Sequence, residues 1–267
     1  MRKLSASLLV IFTTLLLTSC QQEVGQIIEQ ASHCKIDKGY YYGGSGGIND
    51  SVIFTYTNGK LSRAEGNDEY VLYSYNGDNI SIRKFYEKPG NIFYSVDSIA
   101  YDNSNRITRL TSWEYPSSFG FDTVNLVYIF TYQGAILNKV EETEIIPNTS
   151  SSITNYLFTN NAAGNTERIQ IADEFNNVYD SISYSYNTNP NYFKIVHPHF
   201  FLFDPFFQLH VGLVPHFPYF YSRNNVIKYT IYGNVDYNIV YGLDSLSNVT
   251  SVDMGGFEYM KYKYSCQ

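Results

Sequence analysis

Asp180-Ser181-Ile182-Ser183-Tyr184-Ser185-Tyr186 decides the fold, because three serines alternate with Ile182, Tyr184 and Tyr186 in a run that ends at Asn187. A period of two puts the serines on one face and the large side chains on the other, as in a strand with one packed and one wet face. The theme recurs along the chain. Val52-Ile53-Phe54-Thr55-Tyr56 leads to Asn58-Gly59, Val71-Leu72-Tyr73-Ser74-Tyr75 to Asn76-Gly77, and Ile99-Ala100-Tyr101 to Asp102-Asn103-Ser104-Asn105. Val127-Tyr128-Ile129-Phe130-Thr131-Tyr132 leads to Gln133-Gly134. The last tyrosine of each run stands at a turn. Beyond the turn, Leu61 and Arg63, Ile80 and Ile82, Ile107 and Arg109, or Ile169 and Ile171 fall two apart, as a return strand requires. Asn-Gly supplies the positive φ values of tight primed turns, so each unit reads as a hairpin. The expectation is an all-β fold, an antiparallel β-meander of tandem hairpins with roughly a dozen strands, bent into a strongly curved sheet or open barrel. A closed barrel is the near alternative.

Composition agrees. Tyr and Phe contribute 27 and 18 of 267 residues while charged residues are only 16%, which favours pleated strands over surface helices. With 18 Lys+Arg against 25 Asp+Glu the formal charge is -7, and no run of cations interrupts it, which excludes nucleic acid as a partner class.

At the N-terminus, Arg2 and Lys3 precede an uncharged apolar run from Leu4 to Leu17 that is too short for a comfortable membrane span. Leu17-Thr18-Ser19-Cys20 resembles the bacterial lipobox, in which cleavage precedes a diacylglyceryl-modified cysteine. The resemblance implies a lipoprotein signal peptide over 1–19, lipid attachment at Cys20 and anchoring to a membrane through that lipid. A tether over 20–33 and a single β-meander domain over 34–267 follow, with an aromatic insertion at 192–221. Gln21 lacks the aspartate that can mark inner-membrane retention, so the expected location is the cell envelope, as an outer-membrane lipoprotein facing the periplasm or the cell surface.

Tyr101-Asp102-Asn103-Ser104-Asn105-Arg106-Ile107 resembles the YD-type β-hairpin repeats of secreted bacterial proteins. With the lipobox, Ser222-Arg223-Asn224-Asn225 and the terminal Tyr262-Lys263-Tyr264-Ser265-Cys266, the chain resembles a Bacteroidota lipoprotein family of unknown function. That resemblance implies no catalytic residue and no cofactor.

Cys34 and Cys266 bracket the domain. Outside the cytoplasm they can form a disulfide, which would require the two ends of the fold to meet; two separate buried thiols are the alternative. Between Tyr192 and Tyr221, prolines 198, 205, 215 and 218 break an aromatic stretch, which excludes a central strand or a long helix. This segment is expected to line the concave face of the sheet. Phe200, Phe203, Phe206, His210, His216 and Tyr219 are the candidate ligand-binding residues. His197 and His199 with His210 or His216 lack structural-zinc spacing, so no metal site is assigned. Gly43-Gly44-Ser45-Gly46-Gly47 has the letters of a nucleophile elbow, but a strand rather than a helix follows it. Asp102, Asn103 and Asn105, or Asp244 and Asn248, carry calcium-type oxygens, yet hairpin turns call for the same residues. The functional expectation is a non-enzymatic binding module for a glycan, a small apolar ligand or an envelope partner. The alternatives are a hydrolase with its site on the concave face and a periplasmic carrier or chaperone.

Overall fold

The structure, a computed structural model, describes residues 34–42, 48–115, 125–146, 151–193, 217–231, 233, 235–245, 248–253, 255 and 259–266. Among these the chain forms β1 (Cys34–Tyr42), β2 (Ile48–Thr57), β3 (Lys60–Glu65), β4 (Glu69–Asn76), β5 (Asn79–Glu87) and β6 (Ile92–Tyr101). β7 (Ile107–Glu114), β8 (Asn125–Gln133), β9 (Ile136–Ile145), β10 (Ser152–Asn160), β11 (Thr166–Ala172) and β12 (Val178–Pro190) follow. A short helix α1 (Phe217–Tyr221) precedes β13 (Asn224–Ile231), β14 (Val235–Asn238), β15 (Val240–Leu243), β16 (Val249–Asp253) and β17 (Tyr259–Cys266).

From β1 to β14 each strand is antiparallel to the next. β14 and β15 are one bent strand. Its link Ile239 donates to the Ile227 carbonyl at 2.8 Å, after which β15 pairs with β16 and β16 with β17. β17 then pairs with β1, Cys34 opposite Cys266, and a disulfide joins the two sulfurs. The all-β antiparallel meander read from the sequence is thus curved far enough that its last strand returns to its first.

Alternation sets the two faces. Ile182 and Tyr184 are buried while Ser183 and Ser185 are exposed, and the same pattern runs through Tyr128, Ile129, Phe130 and Thr131. The buried residues form one continuous apolar cluster on the concave side. Arg63, Lys84, Arg109, Lys139 and Arg168 lie mid-strand on the convex face, half-buried or exposed. At a bilayer midplane such charges would cost about 2–4 kcal/mol each.

The recurring tyrosine does structural work at one rim. Tyr56 donates its hydroxyl to the Ile36 carbonyl at 2.9 Å, Tyr75 to Leu61 at 2.9 Å, Tyr101 to Ile80 at 2.8 Å and Tyr132 to Ile107 at 2.9 Å. Tyr186 grips Thr166 at 2.5 Å, Tyr241 grips Val226 at 2.9 Å and Tyr264 grips Val249 at 2.8 Å. In β10 the position is taken by Asn160, whose amide donates to the Leu137 carbonyl at 2.8 Å. Each donor reaches the strand before its own, at a residue that is itself buried. Most of these donors also sit at a register shift, such as Thr55/Tyr56, Ser74/Tyr75 and Ala100/Tyr101, where a bulge re-aims the side chain. Burial pushes the Tyr75 and Tyr132 hydroxyls up to about 12. Tyr101→Phe is expected to cost about 1 kcal/mol in urea unfolding, the net worth of one hydrogen bond, and Tyr186→Phe more, because its hydroxyl also meets Ser222 Oγ at 2.9 Å. Equal costs for the two variants would contradict this.

Turn chemistry departs from the sequence reading at one detail. Asn58 and Gly59 both have positive φ, at 51° and 79°, but at the next hairpin the tip is Gly77-Asp78 and only Gly77 is positive, at 60°. Gly134 repeats that arrangement, so glycine at the first tip position, rather than Asn-Gly as a pair, sets these turns.

Candidate functional site

Of the residues singled out in the sequence, Cys20, Phe200, Phe203, Phe206, His210 and His216 lie outside the described residues, as do His197, His199 and Ser45. Tyr219 is described. It sits in α1, is 1% exposed and meets Phe193 edge-on, ring centroids 6.5 Å apart.

The two ends of the aromatic insertion are clasped at the tyrosine-lined rim. Asn191 Nδ2 donates to the Tyr219 and Ser222 carbonyls at 2.6 and 3.0 Å, and its backbone N–H donates to the Arg223 carbonyl at 3.0 Å. Tyr192 N–H donates to Asn225 Oδ1 at 3.0 Å, and Ser222 Oγ accepts from Thr166 N–H at 3.1 Å. The insertion thereby replaces the tight turn between β12 and β13. From there Tyr221 packs on Phe130 of β8, ring centroids 6.4 Å apart, with its hydroxyl buried. Since β8 lies four strands before β12, α1 reaches inward across the concave side. What is described of the insertion is therefore packed core.

The turn acids serve their own loops. Asp102 Oδ1 accepts the Ser104 and Arg106 N–H groups at 2.8 and 3.0 Å, and Oδ2 accepts from Arg106 Nε at 2.7 Å. Asp173 with Phe175 and Asn177, and Asp244 with Asn248, repeat the arrangement. The Arg106 side chain holds the Asp102 carboxyl below the usual range, and Asn177 does the same for Asp173.

Glu69, Glu114 and Glu142 are held the other way. Burial raises Glu142 despite the 2.9 Å bond from Tyr156, and raises Glu69 despite the Tyr94 hydroxyl. A carboxyl with a raised native pKa binds protons more readily folded than unfolded, so stability falls as pH rises through the window just above the ordinary glutamate value. Glu142→Gln is expected to flatten that decline in the thermal midpoint between about pH 4.5 and 7. An unchanged slope would contradict it.

An accessible concavity among the described residues lies on the outer wall at the closing seam. Tyr40, Tyr42, Thr250, Ser251, Lys261 and Lys263 line a groove of about 430 Å³, within the size range of small-ligand sites. Register builds it: Tyr40 lies opposite Lys261, Lys38 opposite Lys263, and Ser251 opposite Lys261 from the other side. Lys38 and Lys263 sit 4.9 and 5.5 Å from the Tyr40 ring centroid, and Lys261 sits 5.5 Å from that of Tyr42. Sequence reading missed these residues because they stand more than two hundred positions apart. The signal was present: Lys38 and Tyr40 follow Cys34 by four and six residues, as Lys263 and Lys261 precede Cys266 by three and five.

No family model and no curated protein matches the chain. Among solved structures it is similar to a porin-like protein from Bacteroides vulgatus, at 10% identity over 86% of this chain and 98% of that one, TM-score 0.46. A porin-like protein from Bacteroides uniformis is similar at 10% identity over 86% and 96%, TM-score 0.39.

Proposed function

We propose that the chain is a non-enzymatic binding protein of the cell envelope, tethered through lipid at Cys20, whose ligand is a saccharide taken at the seam groove. One observation carries the reading: aromatic rings and hydroxyls are gathered in an outward concavity, while the described concave side is occupied by packed core. Tyrosine faces stack on the C–H faces of sugar rings, and Thr250 and Ser251 offer hydroxyl partners for sugar hydroxyls. The charged outer wall suits a body held beside a membrane rather than within one, which fits a lipid tether.

Oligosaccharide binding by the chain from residue 21 onward is the test. Tyr40→Ala with Tyr42→Ala is expected to weaken binding at least tenfold while leaving the thermal midpoint within a few degrees, since both side chains are only half-buried. Binding that survives both substitutions would reject the groove. Cys20→Ala is expected to move the protein from the membrane to the soluble fraction, and its staying in the membrane would reject the tether.

A further inference from the structure

We propose that the seam groove selects acidic saccharides, with Lys38 and Lys263 receiving the carboxylate or sulfate of a sugar whose ring lies on Tyr40. The inference rests on the saccharide reading above and names its class.

Lys38 and Lys263 face each other directly across the β1–β17 ladder. Like charges so placed repel, and sheets ordinarily avoid them or add a carboxylate between them. Among the described residues neither lysine has a carboxylate within ion-pair distance, whereas Lys60, Lys88, Lys139 and Lys228 each have one. Asp37, the nearest acid in sequence, accepts from Ser265 Oγ at 2.8 Å. Asp253 lies farther along β16, opposite Tyr259. Both ammonium groups instead share the Tyr40 ring, Lys38 at 4.9 Å and Lys263 at 5.5 Å from its centroid, with Lys261 on Tyr42 beyond.

The chain carries a net formal charge of -7, against which two facing cations with no carboxylate between them are a local excess. A cation pair on an aromatic ring, beside a groove with two hydroxyl side chains, matches a ligand with an oxyanion, a flat apolar face and hydroxyls on one small frame. Uronic acids and sulfated sugars have that combination. An anionic lipid headgroup shares the oxyanion but would leave the tyrosine face and the hydroxyls unused.

The experiment is titration calorimetry at two salt concentrations with trigalacturonate, a sulfated disaccharide, neutral maltotriose, sodium sulfate and anionic phospholipid vesicles. Tighter binding of the acidic sugars than of maltotriose, weakened by salt and reduced at least tenfold in Lys38→Gln/Lys263→Gln with a thermal midpoint no lower than the parent's, is the expected result. Maltotriose bound as tightly as trigalacturonate would overturn the acidic class and leave the saccharide reading standing. Sulfate or vesicles bound as well as the sugars would also overturn it. Binding of no saccharide at all would end both readings together. Lys38→Arg/Lys263→Arg, which keeps the charge, is expected to retain the preference for acidic sugars.

Discussion

Replacing Cys34 and Cys266 together by serine is expected to lower the unfolding free energy by about 5 kcal/mol, the chain-entropy value for a loop this long. The bond closes 232 residues, nearly all of the described wall. Without it the β1–β17 ladder can still form, because Tyr264 opposite Ile36 and Tyr262 opposite Gly39 keep their register. Its two strands would then have to find each other from opposite ends of an open chain. Urea unfolding of the serine variant against the oxidised parent, followed by tyrosine fluorescence, measures the difference. A loss below about 1 kcal/mol would show that the unfolded chain gains little freedom when the bond is cut.

The second large effect is expected at Asp97. Arg83 and Asp97 face each other across the β5–β6 ladder on the concave side, 1% and 3% exposed, with Arg83 Nε and Nη2 donating to Asp97 Oδ2 at 2.9 and 2.5 Å. Asp97→Ala takes this carboxylate from a buried guanidinium, and losses of about 3–5 kcal/mol are usual for such a change. A double replacement, Arg83→Met with Asp97→Leu, removes both charges and is expected to recover most of the loss. If the double variant were as unstable as Asp97→Ala, packing rather than charge would be the cause.

The fold was legible because its signal is local. A period of two, a glycine at the tip and a tyrosine before it are all contained within a dozen residues, and Val71 to Gly77 shows all three together. The sequence marked the tyrosines as belonging to the turns, but not what their hydroxyls hold, because each acceptor is a backbone carbonyl on another strand. Asn160 was invisible for the same reason: only the Leu137 carbonyl at 2.8 Å shows that an amide does the tyrosine's work. Arg83 and Asp97 looked like two scattered charges. Their opposition depends on the β5–β6 register, which the bulge between Phe85 and Tyr86 shifts by one residue at its far end. The groove was least legible of all, since Tyr40 and Lys261 become neighbours only when the wall closes.

At the rim, Tyr264 and Ile36 flank the disulfide as Tyr56 and Leu61 flank the Asn58-Gly59 turn. Cystine therefore stands where an eighth connection is needed, between the two strand ends that no stretch of peptide joins. Every clasp reaches back by a single strand, so no member of the wall senses how many others there are. As far as the clasps go, circumference is set by how many hairpins stand between the two cysteines, and one hairpin more or fewer would leave every remaining clasp as it is.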